Sequence, residues 1–195
     1  MTTQESSTTS QLYFAYGSNL SLYQMRTRCP TSSYYGLGIL PGWRWIISKR
    51  GYANVVRVSD DEKSKGGVEG ECVWGMLYTL EPADERLLDR AEGVPYSYEK
   101  EVLDIHLVSS ADGSQVRLEV KVQALVYVDY KRTTPSTSKE EYITRMNRGI
   151  RNAVEKGMDM EYVEKVMRPF IREEGLPEDE KVEDPFLPEA VGGRV

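Results

Sequence analysis

A single glutamate, Glu92, stands at the predicted end of a helix, where a carboxyl group can do acid–base chemistry. The helix dipole disfavours a carboxylate at that end, and partial burial adds to the effect, so the group holds its proton more tightly than usual. A carboxyl group tuned in this way suits a general acid/base. The local sequence also allows a second interpretation, which is a glutamate exposed at an ordinary helix end.

A second feature is the abrupt change from an aromatic strand to a polar turn. Residues 12–16 are apolar or aromatic and predict a short buried strand, and Gly17-Ser18-Asn19 follows directly. Glycine adopts φ > 0 without steric cost, so the backbone is expected to bend sharply at Gly17. Such a turn directs several N–H groups at one point and favours a carboxylate or an oxyanion. An ordinary strand-to-helix loop is the alternative.

Other catalytic groups are scarce. The single histidine excludes His-rich metal sites and leaves few ways to build a Ser-His-Asp triad. This residue, His106, falls on the polar face of an alternating strand and is expected at the surface. Ser18 lies in Gly-Ser-Asn-Leu, which is not the Gly-x-Ser-x-Gly pattern of a nucleophile. Cys29 and Cys72 predict reduced structural thiols, although the arginines near Cys29 allow a lowered pKa. Thirteen tyrosines against three phenylalanines can supply hydroxyl groups to a polar cavity.

The elements that must position these residues follow no strict βαβ alternation. Ser21 suits a helix N-cap, Pro82 a first helical residue and Gly93 a C-terminal cap, while Asp112-Gly113 predicts a hairpin. Because strands dominate the first two-thirds, we expect an α+β domain with a curved mixed sheet or small barrel. Besides the strand at 12–16, strands are predicted at 34–40, 43–48, 52–58, 72–80, 103–107 and 116–128, and helices at 21–28, 82–92, 139–156 and 159–168.

Composition limits the class of protein. The 195 residues suggest one domain, and a net charge of −6 without a basic block argues against a nucleic-acid partner. No apolar run is long enough to span a membrane, and no signal peptide is evident, so a cytoplasmic location is predicted. Residues 1–11 are predicted to be disordered, 12–172 to form the domain, and 173–195 to form an extended acidic tail. The charged segment 59–70 predicts an exposed loop.

Two stretches taken together resemble a known family. Tyr13-Phe14-Ala15-Tyr16-Gly17-Ser18-Asn19-Leu20, followed at a distance by Leu88-Asp89-Arg90-Ala91-Glu92-Gly93-Val94, resembles the γ-glutamylcyclotransferase family. Gly42-Trp43-Arg44, Gly51-Tyr52-Ala53-Asn54 and Val73-Trp74-Gly75 are similar to further pieces of that family. The resemblance covers roughly residues 12–170.

The resemblance implies a small mixed β-barrel with flanking helices and a reaction that needs no metal or cofactor. In that reaction the α-amine of a small γ-glutamyl substrate attacks its own γ-carbonyl, which yields 5-oxoproline and links the protein to glutathione metabolism. Glu92 is then the general acid/base. The implied substrate contacts are Tyr13, Phe14, Ala15, Tyr16, Gly17, Ser18, Asn19, Tyr98, Tyr127 and Tyr142, with the turn acting largely through its backbone amides.

Two alternatives stay open at this stage. The same fold and Glu92 can serve a cyclase or isomerase acting on another metabolite in a specialised pathway, because pocket walls decide the substrate. A non-catalytic small-molecule-binding module is the other alternative. Ser48, where relatives often carry Asn, and the tight turn at residues 95–98 depart from the family pattern and bear on substrate choice. For the assembly we expect a monomer or homodimer.

Overall fold

The computed structural model describes residues 11–59, 71–117 and 119–174. The strands are β1 (Gln11–Ala15), β2 (Tyr34–Pro41), β3 (Trp43–Ile47), β4 (Ala53–Arg57), β5 (Cys72–Leu80), β6 (Glu99–Ser110) and β7 (Lys121–Val128). The helices are α1 (Leu22–Arg28), α2 (Pro82–Glu92), α3 (Glu140–Glu155) and α4 (Met160–Tyr162), and α4 continues as a π-helical turn, Val163–Met167. No helix in these ranges is long and apolar enough to cross a membrane.

Five strands close into a barrel in the order β1-β5-β2-β6-β7, while β3 and β4 form a separate hairpin. Neighbouring strands of the barrel are antiparallel except at the closure, where β1 runs parallel to β7 through the pair Tyr13 and Leu125. Closure leaves no unpaired edge in the barrel. The predicted α+β fold with a small mixed barrel is thus confirmed.

The apolar strand β5 lies between β1 and β2, so both of its edges are hydrogen-bonded. Its residues Met76 and Leu77 are fully buried. At Gly75 a Cβ atom would lie only 2.5 Å from Cζ of Phe14, so the absent side chain makes room for that ring. The barrel core therefore sits directly behind β1, the strand that leads into the turn.

Capping residues stand at the helix termini that the sequence predicts. Ser21 Oγ accepts the backbone N–H of Gln24 at the start of α1, and Gly93 takes the left-handed conformation at φ 68° after α2. Gly149 lies inside α3, where a Cβ atom would come within 2.9 Å of Leu20 Cβ. Its lack of a side chain lets α3 pack against the turn that follows β1.

The structure departs from the predicted elements at several places. Strand β6 begins at Glu99 rather than at residue 103, and the predicted helix 159–168 is α-helical only over Met160–Tyr162 before its π-helical turn. Gln11 belongs to β1, although the sequence places it in the disordered N-terminus. Residues 116–120 do not continue β7 as a regular strand. Val116 N–H bonds to Val108 O, whereas Leu107 N–H bonds to Val120 O, so two neighbouring residues of β6 pair with residues that lie four positions apart. Val120 N–H also bonds to Arg117 O, so a second turn interrupts the predicted strand. The predictions for residues 1–10, 60–70 and 175–195 lie outside the described ranges.

Candidate active site

The last residue of α2 meets the turn after β1. Asn19 Nδ2 donates a hydrogen bond of 3.1 Å to Glu92 Oε1, although 73 positions separate the two residues. Only 18% of the Glu92 side chain is exposed, and Arg28 Nη1 lies 3.7 Å from the same oxygen. The carboxyl group therefore faces the turn rather than bulk water. The Asn19 amide and the Arg28 guanidinium fix its position.

The Asn19 side-chain amide is held at both ends. Its Oδ1 accepts hydrogen bonds from Gln24 Nε2 at 2.7 Å and from Arg28 Nη1 at 3.1 Å. Its Nδ2 donates to Tyr13 Oη at 2.9 Å and to Glu92 Oε1. A flipped amide would place N–H groups against the donors of Gln24 and Arg28, so only one orientation satisfies all four contacts. Asn19 thus connects α1 to the carboxyl group at the end of α2.

The turn itself differs from its predicted form. Gly17 has φ −114°, so it does not use the left-handed region, and its lack of a side chain serves a close approach instead. A Cβ atom there would lie 2.7 Å from Tyr142 Oη. That phenol oxygen accepts the N–H of Ser18 at 3.1 Å and of Ala53 at 3.4 Å. Leu20 N–H also bonds within the turn, to Gly17 O. The N–H groups of Ser18 and Leu20 are thus already bonded within the protein, so they do not belong to the backbone amides that a ligand can still use.

A cleft of about 510 Å³, including its open mouth, lies between the turn, α2 and α3. Phe14 and Ala15 do not line it, because both are fully buried and the Phe14 ring packs over Gly75. Successive strand residues point to opposite faces, which separates Phe14 from Tyr13. The other residues singled out from the sequence all line the cleft, and these are Tyr13, Tyr16, Gly17, Ser18, Asn19, Glu92, Tyr98, Tyr127 and Tyr142.

The tyrosines of the cleft stay protonated at neutral pH. Burial, assisted by the nearby Glu92 carboxylate, raises the pKa of Tyr13 and Tyr98 well above 10.0 and also raises the pKa of Tyr142. Tyr98 Oη donates to the Ala53 carbonyl at 2.8 Å, and Tyr127 Oη donates to Asp89 Oδ1 at 2.8 Å. These phenols therefore act as hydrogen-bond donors around the carboxyl group of Glu92.

Sequence reasoning missed the cations of the cleft, which are Arg28, Arg50 and Arg145, and it also missed Tyr52. Arg145 follows Tyr142 by three positions on α3, a spacing that places both on one helix face and could have indicated it. The positions of Arg28 and Arg50 depend on packing between elements that are distant in sequence.

The structure does not favour a thiolate nucleophile or a metal site among the described residues. Burial raises the pKa of the Cys29 thiol to about 12, so the arginines nearby do not produce a thiolate at neutral pH. Within residues 11–59, 71–117 and 119–174, no group of three or more His, Cys, Asp or Glu side chains could hold a metal ion.

A closed barrel that brings a half-buried acid to a Gly-Ser-Asn turn defines a γ-glutamylcyclotransferase-like protein. Residues 13–145 match the family model described as gamma-glutamyl cyclotransferase, AIG2-like. Because that match spans well over half of the chain, the chain belongs to this family.

Known relatives agree with the family assignment. The chain is 26% identical over 161 residues to the human protein named gamma-glutamylcyclotransferase, covering 80% of this chain and 76% of that one. A solved structure named gamma-glutamyl cyclotransferase superimposes with a TM-score of 0.62 at 20% identity, covering 91% of this chain and 95% of the other. YkqA from Bacillus subtilis gives a TM-score of 0.60 at 17% identity, over 83% of this chain and 54% of YkqA. These structural likenesses establish the fold.

Proposed function

We propose that this protein is a γ-glutamylcyclotransferase that converts a γ-glutamyl amide into 5-oxoproline and a free amine or amino acid. The α-amino nitrogen of the substrate forms a bond to its own γ-carbonyl carbon, and the amide bond from that carbon to the leaving nitrogen breaks. Because the nucleophile belongs to the substrate, the enzyme needs no catalytic Ser, Cys or His. Holding the two reacting groups in ring geometry lowers the barrier through orientation.

Glu92 is proposed to move the proton in this reaction. The α-amine is mostly protonated near neutral pH and cannot attack until a base removes a proton, while the leaving nitrogen must gain one. One carboxyl group can perform both transfers in turn. The observation that carries this proposal is the 3.1 Å hydrogen bond between Asn19 Nδ2 and Glu92 Oε1 inside the cleft. It holds the acid beside the segment proposed to bind the glutamyl group.

A phenol and a guanidinium group of the cleft can bind negatively charged oxygen atoms of the substrate. Tyr142 Oη accepts two N–H groups, so its own proton remains for an oxygen atom of a bound molecule. Arg145 Nη1 reaches Ser18 Oγ at 3.4 Å and brings positive charge to the turn. These donors are suited to the α-carboxylate of a γ-glutamyl group or to the oxyanion that develops on its γ-carbonyl.

A panel of γ-glutamyl dipeptides tests the proposal. Purified protein is incubated with each dipeptide, and 5-oxoproline is measured by mass spectrometry. We expect turnover by the natural sequence and its loss in Glu92→Gln, which keeps the size of the side chain but cannot accept a proton. Glu85→Gln is the matched control, because Glu85 lies on the same helix and pairs with Lys100 outside the cleft.

Each contrary result identifies a different error. Equal rates in Glu92→Gln and in the natural sequence would reject the acid/base role. Turnover of another metabolite, lost in Glu92→Gln, with no 5-oxoproline from any dipeptide would favour a cyclase or isomerase of different specificity. Tight ligand binding without turnover, unaffected by the substitution, would indicate a binding module.

A further inference from the structure

The phenol groups that line the cleft fall into two classes by the direction of their hydrogen bonds. Tyr142 Oη accepts two N–H groups and Tyr13 Oη accepts Asn19 Nδ2, so both keep a proton for another acceptor. Three other phenols of the cleft donate their proton to an acceptor of the protein, and these are Tyr16, Tyr98 and Tyr127. Toward a bound molecule, a phenol of the second class can offer only an oxygen lone pair.

Tyr127 is the phenol of the second class that a side chain holds in this state. Its Oη donates to Asp89 Oδ1 at 2.8 Å. The hydroxyl groups of Tyr16 and Tyr98 donate to backbone carbonyl groups, which a substitution cannot remove. Burial raises the pKa of the Tyr127 phenol, and the hydrogen bond to Asp89 raises it further, so the phenol keeps its proton. Donation to a carboxylate polarises the phenol, which makes its oxygen a better acceptor for a cation.

Lys100 occupies the other oxygen of the Asp89 carboxylate. Its Nζ donates to Asp89 Oδ2 at 2.9 Å and to Glu85 Oε1 at 2.7 Å. An ammonium group has donors only, so it requires an oxygen atom at this position and leaves Oδ1 for Tyr127. The carboxylate is therefore an acceptor on both sides, which fixes the direction of the Tyr127 hydroxyl group.

Asp89 and Tyr127 adjoin the proposed acid/base. Asp89 precedes Glu92 by three positions in α2, so the two carboxyl groups lie on one helix face. The Tyr127 ring packs edge-on against the Tyr13 ring, with the centroids 5.7 Å apart. Tyr13 Oη and Glu92 Oε1 accept from the same atom, Nδ2 of Asn19, at 2.9 and 3.1 Å. Two sets of contacts therefore place the Tyr127 phenol close to the group that is proposed to take a proton from the α-amine.

We propose that the Tyr127 phenol oxygen binds the α-ammonium group of the substrate, and that Asp89 is the positioning residue that keeps this oxygen an acceptor. The inference rests on the proposed cyclisation, in which the α-amine arrives mostly protonated. An ammonium group offers only N–H donors, so it fits an acceptor phenol beside a carboxylate. The donors Tyr142 and Arg145 suit the oxygen atoms of the substrate instead. No bond forms or breaks at Tyr127, which binds the cation until Glu92 accepts its proton.

Asp89→Asn is expected to reverse the Tyr127 hydroxyl group. The new side chain has one oxygen atom and one NH₂ group, and the Lys100 ammonium can pair only with the oxygen. The NH₂ group then donates to Tyr127 Oη, so the phenol proton turns toward the cleft and meets the cation of the substrate. In Asp89→Asn/Lys100→Met the amide oxygen has no ammonium partner, and it accepts from Tyr127 again.

Calorimetry with γ-glutamyl-alanine and glutaryl-alanine tests the proposal, because these ligands differ only in the α-ammonium group. Both are titrated into Glu92→Gln, which is expected to prevent turnover. We expect γ-glutamyl-alanine to bind about 10- to 150-fold more tightly, the range of a hydrogen bond to a charged group. Adding Tyr127→Phe or Asp89→Asn lowers this ratio about 10-fold or more, through weaker binding of γ-glutamyl-alanine alone. Adding Lys100→Met to Asp89→Asn restores part of the ratio.

Glu85→Gln is the matched control for charge. It removes a carboxylate from the same Lys100 ammonium group, but Glu85 does not bond to Tyr127. We expect this variant to keep the ratio of the two dissociation constants. A fall in the ratio as large as that in Asp89→Asn would show that negative charge near Lys100, and not the direction of the Tyr127 hydroxyl group, is responsible, and it would overturn the role of Asp89.

The kinetics of 5-oxoproline formation separate substrate binding from a structural role. Loss of a contact with the bound ammonium group predicts a raised KM for γ-glutamyl-alanine in Asp89→Asn and Tyr127→Phe, with kcat within about twofold of the natural value. A displaced α2 would instead move Glu92 and lower kcat.

Three results would overturn the proposal, namely equal weakening of both ligands, an unchanged ratio, or a fall in kcat without a rise in KM. In each case, 5-oxoproline formed by the natural sequence would leave the proposed function intact. Absence of 5-oxoproline from every dipeptide would reject the proposed function, whereas a binding ratio that depends on Asp89 and Tyr127 would still support the ammonium site.

Discussion

Replacement of Asn19 separates a positioning role from a substrate-binding role. In Asn19→Asp, the oxygen atom that accepts from Gln24 and Arg28 is retained, but the N–H donors toward Tyr13 and Glu92 are lost. The substitution therefore removes only the side of the amide that faces the acid. Asn19→Ala removes both sides and serves as the comparison.

The size of the effect follows from the contacts. A hydrogen bond to a charged group contributes about 1.5–3 kcal/mol, which corresponds to roughly a 10- to 150-fold loss of kcat/KM. In Asn19→Asp a second carboxyl oxygen would also stand about 3 Å from Glu92 Oε1. Two charges at that distance repel by about 5 kcal/mol at an effective dielectric constant of 20, so one of the two groups retains a proton. We therefore expect Asn19→Asp to lose at least as much activity as Asn19→Ala.

Steady-state kinetics with γ-glutamyl-alanine measures the two parameters separately. A positioning role predicts a fall in kcat with little change in KM, because the disturbed group acts in the transition state. Asn152→Asp is the matched control, since Asn152 Oδ1 accepts Leu22 N–H outside the cleft and keeps that acceptor as Asp. A natural kcat together with a raised KM in Asn19→Asp would refute the reasoning and assign Asn19 to the substrate.

Two further predictions concern packing and pH. Gly149→Ala gains about 1 kcal/mol of helix propensity, but the added Cβ would lie 2.9 Å from Leu20 Cβ and push α3 away from the turn. We therefore expect kcat/KM to fall more in this variant than in the surface control Arg151→Ala. Raised phenol pKa values at Tyr98 and Tyr142 give a stability that is present below about pH 10 and is lost at higher pH, by about 1.4 kcal/mol per phenol and pH unit. Urea unfolding at a series of pH values measures the free energy of unfolding, and tyrosinate absorbance follows the ionisation of the phenols. A free energy of unfolding that stays level to about pH 12 would contradict this prediction.

The sequence predicted the elements better than the contacts between them. Ser21, Pro82 and Gly93 act within a few residues of their own position, so capping and turn preferences locate the ends of α1 and α2 correctly. The meeting of Glu92 with the turn came from the family resemblance, because no local signal relates segments so far apart.

The remaining details of the site depend on three-dimensional packing. Gly17 was expected to serve a left-handed turn, but it is needed because Tyr142 approaches from α3, which a single strand-turn segment does not reveal. The resemblance treated Phe14 like its neighbours, whereas strand alternation turns its ring into the barrel core. Arg50 is a cleft residue only through the packing of the β3–β4 connection, which its neighbours in sequence do not indicate.

The most direct test of the account asks which atom attacks the γ-carbonyl. The reaction is run with γ-glutamyl-alanine in ¹⁸O-enriched water. Mass spectrometry then determines the masses of the products formed by the natural sequence and by Glu92→Gln. Attack by the substrate's own amine, with Glu92 transferring the proton, predicts unlabelled 5-oxoproline from the natural sequence and none above background from the variant. Glutamate carrying one ¹⁸O atom would show that water is the nucleophile, and this result would contradict the account.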